Sequence, residues 1–212
     1  MNRLPRRALS ALAFVLLAGT APEALHAQLA VHGGIAASTF GGEDAEGADT
    51  RTGLHIGASW AFSFSRALGL RVGLDYTQKG AGGEGEIVGV GEGEAVLEVE
   101  YLELPLLLQY SLLEGSSVGL HVLAGPVVSF ETGCTGRVSL AGETFSGDCG
   151  EETEDLDLGV AAGAGFSLPV ASPVDITLEA LYNFGLRSLN DEGDLKNRAF
   201  LIRAGARLAL GG

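Results

Sequence analysis

Basic residues are scarce in this sequence. Thirteen Lys and Arg stand against 27 Asp and Glu, a net charge of −14. Phosphate contacts need clustered cations, so nucleic acid is not an expected partner. Cysteine is scarcer still, with only Cys134 and Cys149. Two thiols with no histidine between them do not make a metal cluster. In an oxidising compartment such a pair reads as a disulfide. Long apolar runs are also missing. The stretch from Ala8 to Ala18 falls well short of the ~20 residues a spanning helix needs. Helical periodicity is nearly absent downstream of it, which removes the helical fold classes.

That N-terminal stretch has another reading. Arg3, Arg6 and Arg7 precede it, and Leu25-His26-Ala27 follows with a small residue at the cleavage position. This three-part pattern predicts a secretory signal over residues 1–27, with Gln28 as the mature start and residues 28–212 as one domain. Removing the leader takes away three arginines and Glu23, so ten basic and 26 acidic residues remain. Yet the mean hydropathy is +0.27. A chain both acidic and apolar keeps its charges and its apolar residues apart.

Period-two alternation shows how. Phe200, Ile202, Ala204, Ala206, Leu208 and Leu210 alternate with Leu201, Arg203, Gly205, Arg207 and Ala209. Leu68, Leu70, Val72, Leu74 and Tyr76 alternate with Gly69, Arg71, Gly73, Asp75 and Thr77. Segments 54–64, 118–130, 156–168 and 174–185 behave alike; 102–110 is less clean because of Leu107, and 29–40 is the least regular. These are strands with two different faces. One face is large, apolar and flanked by aromatics, as a lipid-facing band is. The other is small with isolated charges, which suits a narrow interior. Each segment reaches the 9–11 residues of a tilted membrane strand.

The connections alternate as well. Gly41–Thr52, Lys79–Glu94 and Glu131–Thr153 are long; Ser63–Ala67, Leu112–Ser116 and Pro169–Pro173 are short. Short periplasmic turns and long external loops characterise outer-membrane barrels. The expected fold is therefore all-β: an eight-stranded antiparallel transmembrane β-barrel in the outer membrane of a Gram-negative bacterium. Lipid is its expected surroundings and a monomer its expected state. Much of the acidity, including Glu43, Asp44, Glu84, Glu86, Glu143 and Asp148, falls in the external loops, where a protein partner could be met.

Three stretches carry a resemblance. They are Gly73-Leu74-Asp75-Tyr76-Thr77-Gln78-Lys79-Gly80, Tyr101-Leu102-Glu103-Leu104-Pro105-Leu106-Leu107-Leu108-Gln109-Tyr110, and Ala124-Gly125-Pro126. Together they resemble the PorT-like outer-membrane β-barrel family. The resemblance implies an eight-stranded barrel in a Gram-negative envelope. It does not imply one activity, since most members are known only as barrel domains. One group is associated with protein secretion and gliding.

The inward charges are the candidate site. Strand direction puts Arg71 and Glu103 near mid-height on adjacent strands, and Glu179 and Arg203 on another adjacent pair. Ion pairs are expected within each, because unpaired charge in a packed lumen is costly. The lumen is then a plug and not a pore. His32, His55 and His121 also face inward, but no ligand spacing in the sequence predicts a metal, and no cofactor is expected. No Ser-His-Asp set has motif support, so no catalytic residue is assigned. Gly80–Gly85 matches G-x-G-x-x-G only formally and reads as a loop. A structural or surface-interaction role is expected. An accessory of a secretion or envelope-assembly complex is the alternative, and a barrel enzyme a more distant one.

Overall fold

The computed structural model describes residues 27–42, 45, 47–87, 91–113, 117–140, 143–149, 156–188 and 195–210, with only the backbone described over 84–87 and 91–92. The expected leader lies outside the described residues up to Ala27. So do Glu43, Asp44, Glu46, Glu151, Glu152 and Glu154 of the acidic loops.

Among the described residues nine strands follow one another: β1 (Ala27–Gly41), β2 (Asp49–Ser63), β3 (Leu68–Ile87), β4 (Gly91–Leu113), β5 (Gly119–Leu140), β6 (Glu143–Asp148), β7 (Leu156–Ala171), β8 (Val174–Gly185) and β9 (Lys196–Leu210). All pairings are antiparallel, and β1 pairs with β2 on one edge and β9 on the other. The sheet therefore closes on itself and leaves no edge in lipid, where an unpaired backbone group would be costly. Eight strands make the wall. The ninth, β6, folds back on the outer end of β5 over Thr135–Leu140, beyond the stretch of β5 that pairs with β7.

The outer end departs from the expected loops. Over Lys79–Glu94 the ladder of β3 and β4 continues unbroken to Ile87 opposite Gly91. Over Glu131–Thr153, β5 runs to Leu140 and β6 is added. Backbone pairing does not need apolar side chains. Once the membrane hairpin has set the register, Gly alternating with Glu extends it in water. The G-x-G-x-x-G match at Gly80–Gly85 lies inside this ladder, opposite Gly93–Glu98, and is not a loop.

The wall is apolar outside. Ile35, Leu54, Ile56, Leu106, Leu178 and Ile202 are exposed along it. Aromatics ring both ends: Trp60, Phe64 and Tyr110 near the short turns, and Phe130, Tyr182, Phe184 and Phe200 near the outer rim. An apolar belt of this extent between aromatic girdles is the surface of a lipid-embedded barrel.

Inside, the alternation admits some apolar residues too. Leu107, Leu123, Leu181 and Leu201 are buried with Ala36, Val127 and Ala161. The Leu107 that blurs the pattern in the sequence thus fills the lumen. Leu181 and Leu201 face each other in register, between the Glu179–Arg203 rung below and Asn183 above.

Candidate functional site

The lumen gathers residues from every wall strand. Its centre is Glu179 on β8. One carboxylate oxygen accepts from Arg71 Nη1 at 2.6 Å and lies 2.8 Å from His121 Nε2; the other accepts from Arg203 Nε at 2.8 Å. Arg71 extends from β3 and spends a second nitrogen on Gln109 Oε1 at 2.7 Å. Arg203 also approaches Asp75 at 3.5 Å, and Asp75 lies 3.0 Å from His32 Nε2.

A second centre stands nearer the outer rim. Glu103 accepts from Lys79 at 2.6 Å, Thr77 at 2.6 Å and Ser129 at 2.9 Å. Lys79 lies over the Tyr101 ring, 5.1 Å from its centroid. Asn197 donates to the Tyr101 hydroxyl at 3.1 Å and to Asp157 at 2.8 Å. Higher still, Arg51 and Arg137 converge on Glu98 at 2.7 and 3.5 Å. Toward the short turns Arg207 pairs with Asp175 at 2.6 Å.

Of the two expected ion pairs, the structure brings together Glu179 and Arg203 and does not bring together Arg71 and Glu103. Register explains the difference. Glu103 stands opposite Asp75, while Arg71 stands opposite Leu107. Four residues of strand put them roughly 13 Å apart along the wall. Arg71 instead reaches across the lumen to Glu179, and Glu103 takes Lys79, which the sequence places in a loop.

Two contacts between alternate strands depend on glycines. Gly57 on β2 lies between His32 and Asp75, its partners on the two flanking strands. A Cβ there would collide with the Asp75 carboxylate. Gly165 on β7 lies likewise between His121 and Glu179, and its Cβ would come within 2.9 Å of His121 Nε2. An inward glycine lets side chains two strands apart meet over it. That is the signal which foretells these contacts in the sequence. The same geometry brings His32, His55 and Asp75 together, with one ligand atom of each within 4.8 Å of the others. Sequence spacing gives no hint of this set, because its members lie on three successive strands.

Cavities lie at both ends of the network. One of about 430 Å³ opens at the short-turn end, lined by Arg66, Gln109, Ser111, His121, Ser167 and Arg207 among others. The other, about 420 Å³, lies at the outer rim among Phe40, Ala48, Ala81, Val96 and Leu97. Although Ser111 and Ser167 share the first cavity with His121, no hydroxyl among the described residues hydrogen-bonds to that imidazole. Cys134 and Cys149 are joined in a disulfide, 15 residues apart in sequence. It fastens the end of β6 to β5.

The barrel architecture agrees with the family to which the sequence belongs. Residues 20–191 match the model of the outer membrane protein beta-barrel domain. The chain belongs to this family. Among solved structures, the barrel is similar to Neisserial surface protein A at 16% identity and TM-score 0.50, covering 86% of this chain and 97% of that one. It is similar to OprG of Pseudomonas aeruginosa at 14% identity and TM-score 0.51, with 89% and 98% covered. A major outer membrane protein of Thermus thermophilus matches at 15% identity and TM-score 0.50, with 87% and 99% covered. At these identities the likeness is one of fold. No curated protein matches by sequence.

Proposed function

We propose that this outer-membrane barrel is a plugged, non-porous protein with a structural or surface-interaction role, monomeric in lipid and without catalysis. The observation that carries the reading is the ladder Arg71–Glu179–Arg203, which ties β3, β8 and β9 together across the lumen. Above it the Leu181–Leu201 rung adds a dry layer. A solute path would have to break both. The external sheet of β3 to β6 is then the surface left for a protein partner. Solute flux into liposomes carrying the folded barrel tests the plug. No flux above empty liposomes is expected for sugars and amino acids; rapid flux would overturn the reading.

The finer PorT-like assignment and an accessory role in secretion form the second reading, favoured by the match over Tyr101–Tyr110. In the barrel that stretch serves the lumen: Tyr101, Glu103 and Leu107 are all buried there, and Pro105 packs where Gly73 lacks a side chain. The motif therefore supports a shared plug more directly than a shared partner. Cross-linking in intact cells followed by purification tests the accessory role. Recovery of a defined envelope complex would favour it; recovery of the barrel alone would favour the first reading.

A further inference from the structure

Hydrogen-bonding logic around His55 points to a cation. Its Nδ1 lies 2.9 Å from the Thr77 hydroxyl. That hydroxyl has one proton and donates it to Glu103 at 2.6 Å. The proton between His55 and Thr77 therefore comes from Nδ1, and the neutral ring carries its lone pair on Nε2. An imidazole held by its other nitrogen in this way is oriented as metal-bound histidines are. The Nε2 lone pair faces Asp75 Oδ2 at 3.9 Å and Arg203 Nη1 at 3.5 Å.

At His32 the contacts conflict. Its Nε2 lies 3.0 Å from Asp75 Oδ1 and 3.2 Å from Arg203 Nη1. One nitrogen cannot both donate to the carboxylate and accept from the guanidinium. Whichever tautomer forms, one of the two contacts is opposed. The conflict at His32 vanishes if a bare cation replaces Nη1 between the three groups, now 3.2 to 3.5 Å from that nitrogen, since it accepts a lone pair from each and has no proton to place.

We propose that His32, His55 and Asp75 form a binding site for a divalent first-row metal ion of the zinc class, for which Arg203 Nη1 is the competing occupant. Two imidazoles and one carboxylate suit zinc and its neighbours, and not calcium or magnesium. Tetrahedral ligands on bonds of about 2.0 Å stand about 3.3 Å apart. His32 Nε2 stands 3.0 Å from Asp75 Oδ1 and His55 Nε2 3.9 Å from Oδ2, and one ligand atom of each residue lies within 4.8 Å of the others, so the three groups would close onto the ion by small side-chain shifts. Arg203 can yield without being stranded, because its Nε stays on Glu179 at 2.8 Å. Gly57 keeps the space open between His32 and Asp75. A bound ion would cross-link β1, β2 and β3 and leave its fourth position toward the lumen.

The test is a titration of the folded barrel in detergent with Co²⁺ and Zn²⁺, folding being checked by heat-modifiable gel migration. One Co²⁺ per barrel with the visible absorption of a tetrahedral N/O site is expected. D75N and H55A should weaken it by about tenfold or more, and R203Q should tighten it by a similar factor. Imidazole ¹⁵N shifts of the unsubstituted protein give a readout independent of any variant's folding. Zn²⁺ should move His32 and His55 and leave His121 unmoved. Absence of the cobalt spectrum in the folded unsubstituted barrel would overturn the proposal, even if R203Q bound the ion. So would undiminished binding by folded D75N and H55A, or ¹⁵N shifts that miss His32 and His55.

Discussion

Strands β3, β4 and β5 carry two different regions of one molecule. Within the wall they present Arg71, Lys79, Glu103 and Ser129 to the lumen, each buried and each bonded to an opposite or complementary group. Beyond the wall the same strands continue as the external sheet. There Glu84 stands opposite Glu94 in the ladder, and Glu86 opposite Glu92. Charges in water are screened within about 10 Å; in the closed lumen no such screening exists. Inside, side chains decide which strands meet and in what register. Outside, the backbone ladder and a disulfide hold the sheet, and exposed or half-exposed side-chain contacts such as Arg137–Glu98 and Ser139–Thr144 only supplement them.

The sharpest way to break this contrast is to remove Glu179. Glu179→Ala leaves Arg71, Arg203 and His121 buried around a missing charge. Breaking a buried pair from one side costs about 3–5 kcal/mol, and here several partners are stranded at once. Denaturant titration of the barrel in lipid, followed by heat-modifiable migration, should show a loss at the top of that range. Thr144→Ala in the external sheet, which removes the 3.1 Å contact between Ser139 and Thr144, should leave the midpoint within about 0.5 kcal/mol of the parent, as surface changes do. Equal effects would mean that the lumen network contributes no more than a surface contact.

The lipid face offers the next comparison. Ile202 and Ile35 face each other near mid-height, next to the lumenal Arg203. Ile202→Arg would put a cation in the hydrocarbon one residue from a cation that belongs in the lumen. At the bilayer midplane this costs about 2–4 kcal/mol. The same substitution at Phe145, exposed on β6, should cost nothing measurable in the same assay. A neutral result at Ile202 would remove the lipid from that face.

The alternation of Ile202 with Arg203 makes the wall legible in the sequence, because a period of two is local and each strand repeats it. Glu179 beside Arg203 is legible for the same reason: they are cross-strand neighbours. Arg71 is not. Its partner lies 108 residues away across the lumen, and a reading by adjacent strands sends it to Glu103. Lys79 is hidden differently, since the strand continues past the apolar residues that advertise it. His32, His55 and Asp75 lie on three strands and meet only because Gly57 has no side chain. Local pattern reports which way a residue faces. It does not report which residue two strands away shares the space.

The smallest effect on the barrel, and the most local, belongs to the disulfide. Closing the 15-residue separation of Cys134 and Cys149 contributes about 3 kcal/mol in the chain-entropy model. That figure applies to the segment it closes, and β6 lies wholly within it, held to β5 by pairs running only from Thr135 to Leu140. The lumenal contacts of β5, from His121 to Ser129, lie below the bridge. Replacing both cysteines by serine should therefore leave the unfolding midpoint of the wall nearly unchanged. It should expose the backbone around β6 to limited proteolysis, with new cleavage between residues 134 and 149. If the wall also melted earlier, the external sheet and the lumen would be one cooperative unit, and the division drawn between them would fail. If neither changed, the ladder of β5 and β6 alone would hold the sheet.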